Sequence, residues 1–147
     1  MSIIKENFDK LIEQKELPAD YMTIEGGHHL YRFRFGVNEK RDSIVEVIIQ
    51  NSELPYADAQ VIYRHVHLLT NYQLRGKALE TINELNEMRS GYYSLFLAGD
   101  GEIFLRNLMR LGADPQPLYE TIVYGSSIAK DLVEALTAVL GESGVAE

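Results

Sequence analysis

Residues 20–50, DYMTIEGGHHLYRFRFGVNEKRDSIVEVIIQ, contain the alternation that decides the fold class. In the segment YRFRF (31–35) aromatic side chains alternate with arginines, and in SIVEVIIQ (43–50) valines and isoleucines recur at every second position. Alternation of this kind is typical of strands that are buried on one face. Gly26-Gly27 tolerates the positive backbone angles of a tight hairpin turn before the first segment. We therefore expect antiparallel strands joined by short turns.

The flanking sequence extends this sheet. Period-two patterns predict further strands at 21–25 and 61–69, so that residues 21–69 form an antiparallel meander. A separate hairpin is predicted at 92–111, with Gly99-Asp100-Gly101 as its turn. The expected element order is α-β-β-β-β-α-β-β-α, without the strand–helix–strand alternation of parallel folds. This order predicts an α+β fold in which helices pack on an antiparallel sheet.

Three helices are predicted from apolar residues at helical spacing. They span residues 3–17, 76–91 and the stretch from the proline-bearing segment 114–117 to about residue 140. The expected buried positions of the second helix are Leu79, Ile82, Leu85 and Met88, and those of the third are Leu118, Ile122, Ala129, Leu132, Val133 and Leu136. Gly125-Ser126-Ser127 places poor helix formers inside the third helix and is a candidate kink.

Composition limits the class of protein. The 147 residues fit a single domain, 1–147, in which 141–147 are expected to fray. The chain has no cysteine, which excludes disulfides and thiolate chemistry. Its net charge of −8 opposes binding to nucleic acids and to anionic membranes. Because neither a signal-peptide pattern nor a membrane-spanning apolar stretch is visible, the expected location is the cytoplasm.

The segment 78–111, ALETINELNEMRSGYYSLFLAGDGEIFLRNLMRL, combines Asn83-Glu84-Leu85-Asn86 on a helix with the hairpin turn Gly99-Asp100-Gly101. With the closing helix after a proline-bearing loop, this arrangement resembles the YbjN family of bacterial sensory transduction regulators, whose fold is like that of type III secretion chaperones. The resemblance covers the whole chain in element order and residues 78–140 in motif, and the strand at 21–25 departs from the simplest family pattern. It implies a non-enzymatic, often dimeric, adaptor-like protein and assigns no catalytic residue.

No catalytic arrangement is recognisable in the sequence. The serines lack the Gly-x-Ser-x-Gly context of a nucleophile elbow, and segment 125–127 lacks the lysine of a phosphate-binding loop. Most carboxylates fall on the outer faces of predicted helices, where they solvate the surface. We therefore predict no catalytic residue, no cofactor and no enzymatic activity.

His65 and His67 are the pair of residues best placed to hold a metal ion. Residues two apart on a strand point to the same face, so both imidazoles could bind one metal, with Asp58 or Glu46 as a further ligand. The alternative is a pair of partly solvated strand histidines, and on that interpretation no metal site is expected.

Surplus apolar surface is the feature that points to function. The helices can cover only one face of a five- or six-stranded sheet, yet alternation puts large apolar residues on both faces. We therefore expect a protein client or a second copy of the chain to cover the other face. The residues expected to bind it are Phe96, Phe104 and Leu108, with Asn83 and Asn86 as a polar rim.

The predicted function is that of a chaperone-like or adaptor protein, a homodimer that binds another polypeptide. Two alternative functions stay open: a small-ligand sensor whose pocket lies between the sheet and the last helix, and a metal-dependent protein that uses His65 and His67. For the apolar surface, the alternative is that both faces are covered within the monomer. The two asparagines also have an alternative role, because asparagine on a helix can bond a neighbouring loop.

Overall fold

The computed structural model describes residues 2–38 and 41–144. It confirms the α+β fold class and the element order. The helices and strands are α1 (Ile3–Gln14), β1 (Asp20–Thr23), β2 (His29–Asn38), β3 (Arg41–Ile49), β4 (Ala57–Leu68), α2 (Arg75–Met88), β5 (Ser94–Leu97), β6 (Glu102–Leu111) and α3 (Gln116–Leu140). The largest differences from the predicted bounds are that α1 and α2 each end three residues earlier than expected, and that β4 begins at Ala57 instead of residue 61.

The six strands form one antiparallel sheet in the order β1-β2-β3-β4-β6-β5. The first four strands are the predicted meander, and the β5–β6 hairpin joins it through β6, which pairs with β4. Short β1 and short β5 are therefore the two edges of the sheet. The hairpin turn needs glycine at Gly101, where φ is +94° and a methyl group would overlap the backbone carbonyl of Leu69.

All three helices contribute to a single core on one face of the sheet. Val45, Val47 and Ile49 of β3 point into this core, as the alternation predicted. The third helix buries the predicted stripe in full, and α1 buries Ile4 and Phe8 against the strands. The side of the sheet that faces the helices is called the helix face below, and the opposite side is called the open face.

The predicted buried stripe of α2 is wrong at both ends. Leu79 is 45% exposed and Met88 is 78% exposed. The buried positions are Ala78, Thr81, Ile82 and Leu85, which follow the spacing i, i+3, i+4, i+7. Residues spaced strictly three apart drift by about 60° around a helix at every step, so such a series leaves the core after two residues.

Gly125 lets two tyrosines reach the backbone of α3 and does not kink the helix, which runs uninterrupted. The Tyr63 hydroxyl donates to the carbonyl of Ile122, and the Tyr93 hydroxyl donates to that of Thr121 at 2.5 Å. A methyl group at Gly125 would overlap the Tyr93 hydroxyl and lie 2.5 Å from Tyr63 Cε1. The glycine is therefore needed for close packing of α3 on the sheet.

The chain after α3 is held against the end of β4. The Leu68 N–H donates to Ser143 Oγ at 2.8 Å, and the Gly144 N–H donates to the Leu68 carbonyl at 2.9 Å. We expected residues 141–147 to fray, but Ser143 and Gly144 are bonded to the sheet. Residues 145–147 lie outside the described part of the chain.

Candidate protein-binding surface

The open face of the sheet is a mixed surface of charged and apolar side chains. The register of the strands places Arg32, Glu46, Ile62 and Arg106 in one row across β2, β3, β4 and β6. Leu30 and Ile62 are only 8% exposed on this side, although both lie outside the core that the helices cover. Their burial is due to neighbouring side chains of the sheet itself.

A chain of ion pairs runs across the open face. Glu46 Oε2 lies 2.7 Å from Arg32 Nη2, and Glu46 Oε1 lies 3.7 Å from Arg64 Nε. Arg64 Nη2 continues the chain to Glu102 Oε1 at 2.7 Å. The Glu102 side chain is only 3% exposed, and the removal of one partner from a buried ion pair is strongly destabilising. The four side chains cross-link four strands, β2, β3, β4 and β6, in addition to the backbone ladder.

Two aromatic rings are stacked beside this chain and covered by arginines. The Phe96 and Phe104 ring centroids lie 5.5 Å apart with an interplanar angle of 26°. The guanidinium carbon of Arg64 lies 5.6 Å from the Phe104 centroid, and that of Arg106 lies 4.7 Å from the Phe96 centroid. Both distances are within the range of cation–π attraction. The arginine side chains therefore shield part of the apolar surface from water.

Leu108 is the most exposed large apolar side chain of the open face, at 66%. It borders a shallow depression of about 250 Å³ lined by His28, Ile48, Gln50, Asp58, Ala59, Gln60 and Leu108. Of the residues that we expected to bind a partner, Phe96, Phe104 and Leu108 are brought together on this face. Phe104 is half-buried under its stacked neighbours, while Phe96 is 36% exposed.

The two asparagines lie on α2, along the outer edge of β5. Asn86 Nδ2 donates to the carbonyl of Leu95 at 3.1 Å, and the Leu95 N–H donates to Asn86 Oδ1 at 2.7 Å. Asn86 thus bonds a neighbouring segment, which is the alternative role that the sequence left open. The Asn86 side-chain amide makes the two hydrogen bonds to Leu95 that a residue of a neighbouring strand would make. The β5 edge is therefore closed to a further strand at Leu95. Asn83 is exposed beside it.

The β1 edge differs from the β5 edge. The Ile24 N–H donates to the His28 carbonyl at 2.9 Å and continues the β1–β2 register. Because hydrogen-bonded pairs alternate in an antiparallel ladder, Met22 bonds Leu30, and the N–H and C=O groups of Tyr21 and Thr23 point outward. All four residues of β1 have exposed side chains.

The prediction that His65 and His67 share a face is wrong, because a bulge interrupts β4 between Tyr63 and His67. His65 adopts φ +51°, and its N–H donates to Glu102 Oε2 at 2.9 Å. His67 is 1% exposed and stands in register with Ile103 of the helix-face core. The two imidazoles therefore point to different sides of the sheet.

The acids proposed as further metal ligands are also engaged elsewhere. Glu46 bonds the two arginines described above, and Asp58 Oδ1 lies 2.6 Å from Arg110 Nη1. Within residues 2–38 and 41–144, histidine and acidic side chains do not gather in groups of three that could coordinate a metal ion.

The groups with shifted pKa values lie away from the ion-pair chain. Burial raises the pKa of three hydroxyls on the helix face, those of Tyr31, Tyr63 and Tyr93, which are called the buried tyrosines below. For Tyr31, the hydrogen bond that it donates to Asp9 raises the pKa further. Burial, with a smaller effect from Lys5, lowers the pKa of His29 near the β1 edge.

Fold and surface together define the class of protein: an α+β domain whose helices all pack on one face of an antiparallel sheet. The other face is not covered by helices and carries arginines, carboxylates and aromatic rings. Comparison with protein-family models and with curated proteins finds no match to this chain. None of the helices in the described segments combines the length and apolar character that crossing a membrane requires.

Sequence reasoning located the apolar residues of the open face but missed the ion-pair chain. The signal was present, because arginine or glutamate stands between core-facing residues in YRFRF (31–35) and in VEV (45–47), and at both ends of EIFLR (102–106). What could not be read is which strands are neighbours. Arg64 and Glu102 are 38 residues apart, and they meet only because β6 pairs with β4.

Proposed function

We propose that this protein is a non-enzymatic, chaperone-like or adaptor protein that holds another polypeptide on the open face of its sheet. The observation that carries the proposal is that all three helices pack on the helix face, while Phe96 and Leu108 stay exposed on the other side. Monomeric proteins seldom leave contiguous apolar surface in water unless that surface binds something.

An extended segment is the form of partner that best suits this geometry. The depression beside Leu108 is shallow, so the open face favours contact along a strand-like chain over the enclosure of a small molecule. The outward N–H and C=O groups of β1 provide a second point of attachment, at which a client strand can extend the sheet. The corresponding edge of β5 is blocked at Leu95 by Asn86.

Two other interpretations have less support. The shared metal site of His65 and His67 loses its geometric basis at the β4 bulge. A ligand pocket between the sheet and α3 is opposed by the packing at Gly125, where not even a methyl group fits. The depression that the structure describes lies on the open face instead.

Membership of the YbjN family, a cytoplasmic location and homodimerisation belong to the same proposal. The first is supported by the motifs of segment 78–111, and the second by the cysteine-free composition, which suits a reducing compartment. Homodimerisation through the open face stays a prediction. It is tested by sedimentation velocity at low micromolar concentration, where the variant carrying Phe104→Ser and Leu108→Glu should be folded and monomeric. A dimer that persists in this variant would remove the open face as the dimer interface.

Site-specific crosslinking tests the binding proposal directly. A photoreactive phenylalanine analogue in place of Leu108 should give discrete covalent adducts with another polypeptide in cells that express the protein. The matched control carries the same analogue in place of Met88, which is 78% exposed on α2 and lies away from the open face. Equal adducts at both positions, or none at position 108, would contradict the proposal.

A further inference from the structure

Arg106 is an isolated cation within an apolar part of the open face. It stands in register with Ile62 on β4 and with Ser94 on β5. Along β6, Phe104 and Leu108 precede and follow it on the same face, because residues two apart on a strand share a face. Its guanidinium lies over the Phe96 ring. Arg106 is thus surrounded by Ile62, Phe96, Phe104 and Leu108.

The other arginines near it are already matched with carboxylates. Arg32 and Arg64 bond the glutamates of the ion-pair chain, and Arg110 bonds Asp58 at 2.6 Å. Among the residues that the structure describes, no carboxylate forms an ion pair with Arg106. Its Nε atom is buried and has no hydrogen-bond acceptor within the described chain.

In the segments that the structure describes, Arg106 is therefore a cation without a carboxylate partner in apolar surroundings, which is suited to binding an anion from another molecule. A guanidinium presents five N–H donors in a planar fork that matches the two oxygens of a carboxylate. A buried donor without an acceptor is unfavourable, so a carboxylate that draws the Arg106 guanidinium away from the Phe96 ring gains a charge-assisted hydrogen bond and gives Nε an acceptor. The surrounding apolar side chains exclude water from the pair, which strengthens it.

We infer that the open face recognises an extended client segment that places an aspartate or glutamate side chain on Arg106 and apolar side chains on both sides of it. The inference rests on the proposed function and specifies the chemistry of the partner. In an extended chain, residues two apart lie on the same side at about 6.6–6.8 Å, the same spacing as Phe104, Arg106 and Leu108 along β6. A segment of the form apolar-x-acidic-x-apolar therefore matches all three positions at once.

The open face of a second copy of this chain is less suitable as the source of the carboxylate at Arg106. Glu46, Asp58 and Glu102 of its open face are bound to their own arginines. Face-to-face association would have to break one of these pairs to supply Arg106 with a carboxylate. A client with an uncommitted acidic residue avoids that loss.

The test uses three capped peptides, Leu-Ser-Glu-Ser-Leu, the same sequence with glutamine in the centre, and the same sequence with lysine. Each is titrated into the isotopically labelled full chain and followed by amide resonances in β5 and β6. The glutamate peptide should bind about ten- to a hundredfold more tightly than the glutamine peptide, as expected for a hydrogen bond to a charged group. The lysine peptide should bind more weakly than either.

Variants of the protein assign the effect to Arg106. Arg106→Gln should reduce binding of the glutamate peptide to the level of the glutamine peptide, and Arg106→Lys should restore part of the preference. The control is Arg89→Gln, which removes an exposed arginine paired with Asp131 on the helix side. This control should leave peptide binding unchanged.

The outcomes separate the inference from the proposed function. Equal binding of the glutamate and glutamine peptides would overturn the acidic preference while polypeptide binding on this face stands. Inorganic phosphate that binds at Arg106 as tightly as the glutamate peptide would overturn the inference in favour of a small anion. Loss of the preference in Arg89→Gln would also overturn it. If no peptide perturbs β5 or β6, the inference fails, and the crosslinking experiment at Leu108 still decides the proposed function independently.

Discussion

Replacement of Gly125 by alanine is the most direct test of how the sheet and α3 fit together. Glycine inside a helix is usually unfavourable, and alanine in its place stabilises a protein by about 0.8–1 kcal/mol. At Gly125 the added methyl group would overlap the Tyr93 hydroxyl and crowd the Tyr63 ring. We therefore expect the usual stabilisation to change sign.

The size of the effect follows from two costs and one gain. Overpacking of a filled core costs about 1–3 kcal/mol. Displacement of a tyrosine hydroxyl from the α3 carbonyl leaves a buried polar group without a partner, at about 1–3 kcal/mol. After subtraction of the gain in helix propensity, Gly125→Ala should lower the free energy of unfolding by about 3 kcal/mol. For a chain of this size, that corresponds to a fall in Tm of about 6–12 °C.

The assay is chemical denaturation followed by circular dichroism, with Gly76→Ala as the control. Gly76 lies in α2, and nothing stands within 4 Å of the position that its Cβ would occupy. This control should be neutral or slightly stabilising. In the Tyr93→Phe background, Gly125→Ala should cost less by at least about 0.5 kcal/mol, because the oxygen that the methyl group meets has been removed.

If Gly125→Ala is as stable as Gly76→Ala, the tyrosines do not approach α3 as closely as the structure places them. If the two changes at positions 93 and 125 are additive, the loss of stability does not arise at their contact.

The remaining predictions concern pH and the sheet edge. Because the pKa of each of the buried tyrosines is higher in the folded than in the unfolded chain, their contribution to stability is complete below about pH 10 and is lost as the pH rises further. The free energy of unfolding, measured by chemical denaturation between about pH 9 and pH 11, should fall by up to about 1.4 kcal/mol per pH unit for each tyrosine, and a flat profile would contradict the burial of these hydroxyls. Asn86→Ala should cost about 1–3 kcal/mol and speed hydrogen exchange at the Leu95 amide, because both groups that Asn86 bonds are left open. Asn83→Ala is the control, and an equal loss in both variants would show that the edge contact is not the cause.

The sheet could be predicted well because its determinants are local. Alternation in 31–35 and 43–50 fixes which residues face the core, and turn residues such as Gly101 fix where strands reverse. The early start of β4 was missed because Ala57 and Ala59 are small, so they fill space on the helix face without giving an apolar signal. The error in α2 came from a spacing of three that no helix face can maintain.

The bulge at His65 was not predicted, because the segment from Tyr63 to His67 was interpreted as a regular strand. A residue distant in sequence stabilises the bulge: Glu102 accepts the His65 N–H and pairs with Arg64, and so binds two consecutive residues of β4. The same carboxylate that interrupts the strand also ends the ion-pair chain. A prediction of the histidine geometry would therefore have required the pairing of β4 with β6, which the sequence pattern does not specify.

The arginines and carboxylates of the open face also help to explain how a sheet face without helices stays exposed to water. Arginines that stack on Phe96 and Phe104 replace bare aromatic surface with hydrated guanidinium, and charged side chains on an exposed sheet oppose non-specific association. A client that only buried Leu108 would gain little, because the neighbouring apolar atoms are already shielded. A client that also supplies a carboxylate draws Arg106 into a bidentate pair and allows its own apolar side chains to reach Phe96. On this reasoning, the acidic residue of the client determines selectivity and its apolar residues determine affinity. Changes at Arg106 should therefore alter which clients bind, while changes at Leu108 should alter how tightly they bind.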